Sequence, residues 1–501
     1  MADTATTSSS KAGDGASRSS AAEKRLKEMG EGKILKLIFK YAWPTIVTMT
    51  INQLYNAVDR MYIGHGCGRD AIAGLTLTAP IMMSLGAIGV MIGMGSATVM
   101  SIRLGAGDRP GAEKALGSCI ALKILFGLIV PPLMYFFGFR PIIEAMARDG
   151  ATAEAVRLAI QYLSITIFFN IFAHLGFGLS AMMRAEGSPK KSMHCMLIGC
   201  LTNIVLDPFF IFDAIPLPFT SLAIPGLGLR VAGAAWATNI SMMVTCSTAF
   251  IFYLTRRSAV RLRWRRIRPW AGVTGKSIAI GLSPCIMQMM AAVIQFSFNR
   301  AFATWSETPD QGTIQISAFG IANTLSFLFF IPCMGVQHGA APIIGYNWGA
   351  EKYSRVLECL KKGLALTACA TMIVFLGTEC HPRLFASAFA DDAVVIAATT
   401  RGMRIANICI WTIFVNVAST TYFQAVGKPR IAIILSLLRQ CICLLPLVWI
   451  LPHFIDDHVL AVWLACPVSD IVAQIATLPP LFRDMRFLRE KIALAAQPSV
   501  G

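Results

Sequence analysis

Tyr41 to Gly66 reads YAWPTIVTMTINQLYNAVDRMYIGHG, a stretch long and apolar enough to cross a bilayer as a single helix. About 20 predominantly apolar residues suffice for that. Within it Asn52, Tyr55, Asn56 and Asp59 recur at i, i+3, i+4 and i+7, so a helix gathers them into one polar stripe. That stripe cannot face lipid. A carboxylate at membrane depth costs roughly 2.5–3.5 kcal/mol on insertion scales, so Asp59 has to be protonated, paired or turned toward a polar cavity.

The rest of the chain repeats this character. Of 501 residues 55% are hydrophobic and only 14% charged, where soluble domains carry about 25% charge. Twelve apolar runs of spanning length follow one another, near 35–62, 71–101, 115–138, 156–182, 192–212, 231–255, 273–303, 314–345, 363–380, 402–424, 431–452 and 458–482. The expected fold is therefore an all-α integral membrane protein. When the N-terminus and every second loop are assigned to one side, that side collects 32 of the 44 Lys and Arg residues. The net charge of +17 is thus a topology signal that places both termini in the cytoplasm, rather than a nucleic-acid footprint. Residues 1–32, rich in Ser, Ala, Gly and Lys, read as a disordered cytoplasmic tail without a cleaved signal peptide, and 486–501 as a second tail. The fourteen Cys are scattered through the spans with no CxxC and no Cys/His cluster, so neither disulfides nor zinc are assigned.

The twelve runs divide into two similar sets. Gly105-Ala106 and Gly95-Ser96-Ala97 match Gly349-Ala350 and Gly339-Ala340-Ala341 at an offset of 244. VDRMYIG from Val58 matches FNRAFAT from Phe298, and EGSPK from Glu186 matches VGKPR from Val426, at an offset of 240. Four matches in order across six spans argue for a duplication. Because six is even, the two six-helix lobes, 33–255 and 273–485, should be parallel, related by a pseudo-two-fold axis along the membrane normal. The basic stretch 256–272 links them, its arginines expected at anionic headgroups. Two parallel lobes are the layout of an alternating-access transporter.

A duplication makes differences between the halves informative. Asp59 faces Asn299 and Tyr55 faces Gln295. On the fifth span CLTNIVLDPFF sets Asn203 and Asp207 one turn apart, ending at a helix-disrupting Pro208, while their counterparts are Cys443 and Leu447. The charged centre therefore belongs to the N-terminal lobe. Two neighbouring carboxyls in a low-dielectric pocket cannot easily both ionise. They can take up and release a proton or, with oxygens of Asn203 and Thr238, hold a bare monovalent cation such as Na+. Elsewhere, Arg439 and Asp470 on the eleventh and twelfth spans either pair with each other or line the cavity, with pairing the stronger reading. Lys123 is expected to snorkel to the inner surface, Gly89 and Gly93 to pack helices closely, and His174 to be a lone packing imidazole.

Several segments together carry a resemblance: YNAVDRMYIGHG (Tyr55–Gly66), SIRLGAGDRPGAEKALG (Ser101–Gly117), MMRAEGSPKKSM (Met182–Met193), LTNIVLDPFFIF (Leu201–Phe212), PIIGYNWGAEKYSRV (Pro342–Val356) and YFQAVGKPRIAIILSLLRQ (Tyr422–Gln440). From about Lys33 to Met485 the chain resembles the multidrug and toxic compound extrusion (MATE) family, in its MepA-like bacterial branch. The resemblance implies a twelve-helix antiporter of the bacterial inner membrane that exports cationic, amphipathic small molecules against H+ or Na+, with no cofactor. It implies that Asp59 binds the coupling cation, assisted by Asn203, Asp207, Tyr55 and Thr238. The branch with a second acidic site carries a seventh-span Glu, whereas this chain offers Gln288 and Asn299 there. Asn52, Asn56, Gln288, Asn299, Arg439 and Asp470 remain as candidate polar groups of the cavity.

Three rivals are weaker. A major facilitator shares the layout, but the loop GAGDRPGAEK is one residue short of that family's Gly-to-Asp spacing. A flippase for a lipid-linked precursor needs several Arg or Lys for pyrophosphate, and only Arg439 and Arg300 are on offer. A membrane-embedded enzyme needs a nucleophile and base or a metal cluster, and no such constellation is found. The implied partners are a small-molecule substrate and the lipid bilayer, with no nucleic acid. A monomer suffices, and oligomeric state is left open.

Overall fold

A bilayer supplies no hydrogen bonds to a backbone, so apolar runs of this length are driven into helices whose N–H and C=O groups satisfy one another. The computed structural model describes residues 23–147, 152–216, 223–255, 258–388 and 392–496. Among these, twelve helices are long and apolar enough to span: Ile34–Cys67, Asp70–Gly105, Arg109–Phe137, Ala153–Ala185, Pro189–Ile211, Arg230–Leu254, Ala271–Trp305, Pro309–Gly349, Tyr353–Cys380, Ala393–Thr412, Pro429–His453 and His458–Ala495. These are the first to twelfth spans below. An antiparallel ribbon, Ala214–Pro216 with Ala223–Pro225, is the one element that the all-α reading did not contain.

Helix starts follow local chemistry. Asp108 caps the third span through Gly111 N at 2.8 Å, and Thr152 caps the fourth through Ala155 N at 3.1 Å. The duplication reappears in the turns between spans. Gly187 and its counterpart Gly427 both take a left-handed conformation, φ 91° and 73°. Gly107 (φ 75°) does the same, and its counterpart Glu351 (φ 57°) keeps that geometry despite its side chain.

The described residues within Met1–Glu31 and Val47–Gly281 form one compact unit, and those within Gly32–Ile46 and Leu282–Gly501 form another. The sequence-based lobe limits of 33–255 and 273–485 do not anticipate that division. The first and seventh spans each begin in one unit and end in the other, changing over just after Pro44 and just before Pro284, residues 240 apart. Glycines make room for these crossing segments. In the first unit a Cβ on Gly95 would lie 1.8 Å from the Ser277 carbonyl oxygen, and one on Gly281 1.9 Å from that of Met91. In the second unit a Cβ on Gly339 would lie 2.7 Å from Ala42 N. Gly95 and Gly339 are the repeat partners named above.

Other expectations need correction. Residues 23–31, assigned to the disordered tail, are helical with Leu26 and Met29 buried, while residues 1–22 of that tail lie outside the described residues. The last helix continues past 485 to Ala496, and 497–501 are again outside. The tenth run, 402–424, is interrupted: one helix covers Ala393–Asn407 and another Phe414–Ala425. In the basic linker Arg263 and Arg266 pair with Glu113 at 3.1 and 2.6 Å, so these two arginines fasten the linker to the third span. Pro208 does not end the fifth helix, which runs on to Ile211.

Candidate functional site

The acid pair lies within the first unit. Asp207 and Asn203 are fully buried and Asp59 is 8% exposed. The four-residue spacing puts Asn203 one turn from Asp207, and its Nδ2 donates to Asp207 Oδ1 at 3.0 Å. The carboxyls of Asp59 and Asp207 lie within hydrogen-bonding reach of each other. Two bare carboxylates repel at that separation, so the arrangement is stable with a shared proton or a monovalent cation between them.

Side chains from three more places complete the pocket. Tyr55, one turn before Asp59, is half-buried and lies close to both acids, to Cys200 and to Tyr162. Tyr162 on the fourth span sits beside Thr238 and the two acids. Asp59 Oδ1, Asp207 Oδ2, Asn203 Oδ1 and Thr238 Oγ1 are all buried without a hydrogen-bond partner. Orphaned oxygens cost about 1–3 kcal/mol each, a cost that a proton or small cation held by the acid pair offsets. Apolar packing of Ile63, Ala71, Leu158, Ile211, Val231 and Ala234 adjoins Tyr162.

The remaining candidates fall elsewhere. Asn56 is exposed, its amide 3.4 Å from Gln53 Oε1, and Asn52 is half-buried two turns before Asp59. In the second unit Asn299 accepts from Gln295 Nε2 at 3.2 Å, and Gln295 Oε1 accepts from Asn323 at 3.1 Å. The counterpart of the Tyr55–Asp59 turn is thus a neutral amide network. Gln288 is half-buried on the seventh span. Arg439 Nε meets Asp470 Oδ1 at 2.7 Å with Asp470 3% exposed, beside a widened π-turn at Leu438–Leu444. Among the described residues no group of three His, Cys, Asp or Glu could hold a metal ion.

Sequence reasoning missed Tyr162. The available signal was a polar series on the fourth span, Tyr162, Thr166, Asn170 and His174 at steps of four. Lys123 also differs from expectation. It is 1% exposed and donates to the Gly89 carbonyl at 2.8 Å rather than snorkelling.

The MatE family profile matches residues 44–209 and 284–450, one block in each half. The chain belongs to the MatE family. The multidrug export protein MepA of Staphylococcus aureus (strain NCTC 8325 / PS 47) is 24% identical over 423 residues, covering 83% of this chain and 87% of MepA. MepA of Staphylococcus saprophyticus is also 24% identical, over 84% and 88% of the two chains. Among solved structures, a ligand complex of the MATE multidrug transporter DinF-BH is 29% identical, with a TM-score of 0.79 over 90% of this chain and 95% of that one. MATE in the bent conformation shares the fold at a TM-score of 0.84 and 21% identity, over 94% and 99%. The twelve-span, all-α MatE architecture expected from the sequence is the one found.

Proposed function

We propose that this MatE protein is a secondary multidrug efflux transporter of a bacterial plasma membrane, exporting cationic amphipathic compounds in antiport with H+ or Na+ by alternating access. Both termini face the cytoplasm in this reading, in keeping with the concentration of Lys and Arg on that side. The observation that carries the proposal is the buried Asp59–Asp207 pair, in which Asp59 Oδ1 and Asp207 Oδ2 have no hydrogen-bond partner. The MepA relatives are named as multidrug exporters and DinF-BH as a multidrug transporter, which supports export of varied small molecules.

The mechanism follows from exchange at that pair. A cation loaded from outside neutralises the carboxyls and repacks the first helix around Tyr55 and Asp59, loosening bound drug. Discharge to the cytoplasm restores the charge and readmits substrate. One inward monovalent cation releases about 2.3 kcal/mol per 100 mV of membrane potential, besides its concentration gradient. The 24 Met and 30 Phe of the chain provide adaptable apolar walls for varied ligands. The flippase alternative loses Arg439 as a pyrophosphate ligand, since Asp470 already engages it.

The test is ethidium export from proteoliposomes with the proton and sodium gradients collapsed separately. Asp59→Asn and Asp207→Asn should each lower export more than tenfold while the protein still inserts. Wild-type export by Asp59→Asn would refute the assignment.

A further inference from the structure

In the second unit the helical backbone is irregular at two neighbouring places. The tenth span breaks between Asn407 and Phe414, and the eleventh widens into the π-turn at Leu438–Leu444. Irregular backbone at membrane depth survives only where protein covers it or where it borders a water-filled cavity. One polar column on the twelfth span, Asp470, Gln474 and Thr477 at i, i+4 and i+7, holds both irregular segments. Asp470 Oδ1 accepts from Arg439 Nε in the π-turn at 2.7 Å, and Asp470 also lies close to Cys409 in the break. Gln474 Oε1 accepts from the backbone N–H of Asn416 at 3.0 Å, and Asn416 Nδ2 donates to Thr477 Oγ1 at 3.0 Å. The N–H freed where the second half of the tenth span begins is thus satisfied from a neighbouring helix.

The corresponding positions of the first unit are packed shut. At the offset of 240 the counterparts of Arg439 and Asn416 are Gly199 and Gly176. A Cβ on Gly199 would lie 1.8 Å from Thr245 Oγ1, and one on Gly176 3.0 Å from Thr245 Cγ2, so the fifth and fourth spans both press on the sixth there. The fourth helix is also unbroken from Ala153 to Ala185. Where the first unit closes on glycines, the second carries an arginine and an amide. Arg439 lies about 15 Å along the eleventh span from Pro429 and about 21 Å from His453, well inside the bilayer. Its side chain is 28% exposed at that depth, against 4% for Asp470. A guanidinium there cannot face lipid, so its exposed part borders a crevice that water enters.

Two sets of donors here lack partners. Asp470 takes Nε of Arg439, and among the described residues its two terminal nitrogens make no hydrogen bond. Gln474 is 8% exposed and its Nε2 has no partner, while its Oε1 is committed to the Asn416 N–H, which fixes Nε2 as the spare donor. Gln440, next to Arg439 in the π-turn, leaves Oε1 without a partner as an acceptor. The terminal edge of a guanidinium, with two parallel N–H groups, matches one carboxylate. Asp470 cancels the charge of Arg439, which disfavours a polyanion such as pyrophosphate and suits a single carboxylate on a molecule that also carries a cation. We propose that Arg439, oriented by Asp470 and flanked by Gln474, is a substrate subsite of the second unit that holds the carboxylate of zwitterionic amphipaths. The inference rests on the multidrug reading above and extends its substrate class from simple cations to zwitterions.

The test uses the full chain and a matched pair of dyes, rhodamine 19, which bears a free carboxylate, and rhodamine 6G, its ethyl ester. Fluorescence polarisation gives the affinity for each in detergent, and proteoliposomes with proton and sodium gradients imposed together give export. The wild type should bind the carboxylate dye at least as tightly as the ester. In the double variant Arg439→Met with Asp470→Leu, the ratio of the two affinities should shift about tenfold toward the ester, the scale of one lost hydrogen bond to a charged group. Melting temperature confirms that the variant is folded. A folded double variant with the wild-type ratio would overturn the proposal, as would a wild type that prefers the ester. Should the double variant not fold, Arg439→Lys decides the matter: it keeps a cation beside Asp470 without the two-pronged edge, and an unchanged ratio would again overturn the proposal. Absence of rhodamine 6G export by the wild type would overturn the multidrug reading itself, whereas export of the ester with an affinity ratio indifferent to Arg439 would remove the subsite alone.

Discussion

Adding one methyl group at Gly95 should weaken the first unit, because the seventh span's entering segment lies directly against that glycine. The new Cβ would stand 1.8 Å from the Ser277 carbonyl oxygen and 2.7 Å from its carbonyl carbon, whereas ordinary contact begins near 3.4 Å. Relief requires about 1.6 Å of separation between two helices. The obstructing atom is backbone, so no side-chain rotation can provide it. Overpacking of this kind costs about 1–3 kcal/mol, and a displacement this large belongs at the upper end. Alanine recovers up to about 1 kcal/mol through its better helix propensity, leaving a net loss of about 2 kcal/mol. At roughly 2–4 °C per kcal/mol for a unit of this size, Gly95→Ala should melt about 6 °C below wild type. Gly275→Ala is the control: it lies on the seventh helix with nothing within 4 Å of its Cβ, so only the propensity gain remains and melting should hold or rise. A thiol-reactive dye reports melting in detergent, since eight of the fourteen free cysteines are buried. If Gly95→Ala melts with Gly275→Ala, at or above wild type, the seventh span does not pack on Gly95 and the allocation of its first half to that unit is wrong.

Further outcomes follow from the charged groups. Arg439→Met strands the buried Asp470 and should cost about 3–5 kcal/mol, read as a large drop in melting temperature, while Arg439→Met with Asp470→Leu should recover most of it. Burial pushes the Glu186 carboxyl, just beyond the fourth span, from its ordinary 4.5 up to about 8, against the opposing pull of the Ser258 hydroxyl and Arg25. The folded protein then holds a proton that the unfolded chain releases, so stability should fall as pH rises from about 4.5 to about 8 and level off above. Glu186→Gln should flatten that slope in a melting series from pH 5 to 9, and an unchanged slope would assign it to another group.

Much of the architecture was readable because hydropathy is a local sum. Twelve spans, their order and the duplication required only runs of apolar residues and recurring short motifs, and the left-handed turns at Gly187 and Gly427 show that the repeat extends to backbone geometry. Asp59, Asn203 and Asp207 were legible as candidates because charge inside a span is costly enough to need a reason. Tyr162 was not, since an aromatic residue in an apolar helix carries no comparable penalty. Lys123 was misread because its long apolar stem suits snorkelling, and nothing local reveals that Gly89, Gly93 and Gly178, from two other helices, open a slot for it.

By itself, then, the sequence determined that the chain crosses a membrane twelve times, that its halves are copies, and that ionisable groups are retained in the first. Tertiary structure alone decided that Asp59 meets Asp207, that Arg439 meets Asp470, and that the first and seventh helices divide between the two units. The physical reason is that helix formation in lipid depends on composition over about 20 neighbouring residues. The rotation and contact partner of each helix face depend instead on side-chain volumes brought together from spans tens or hundreds of residues apart.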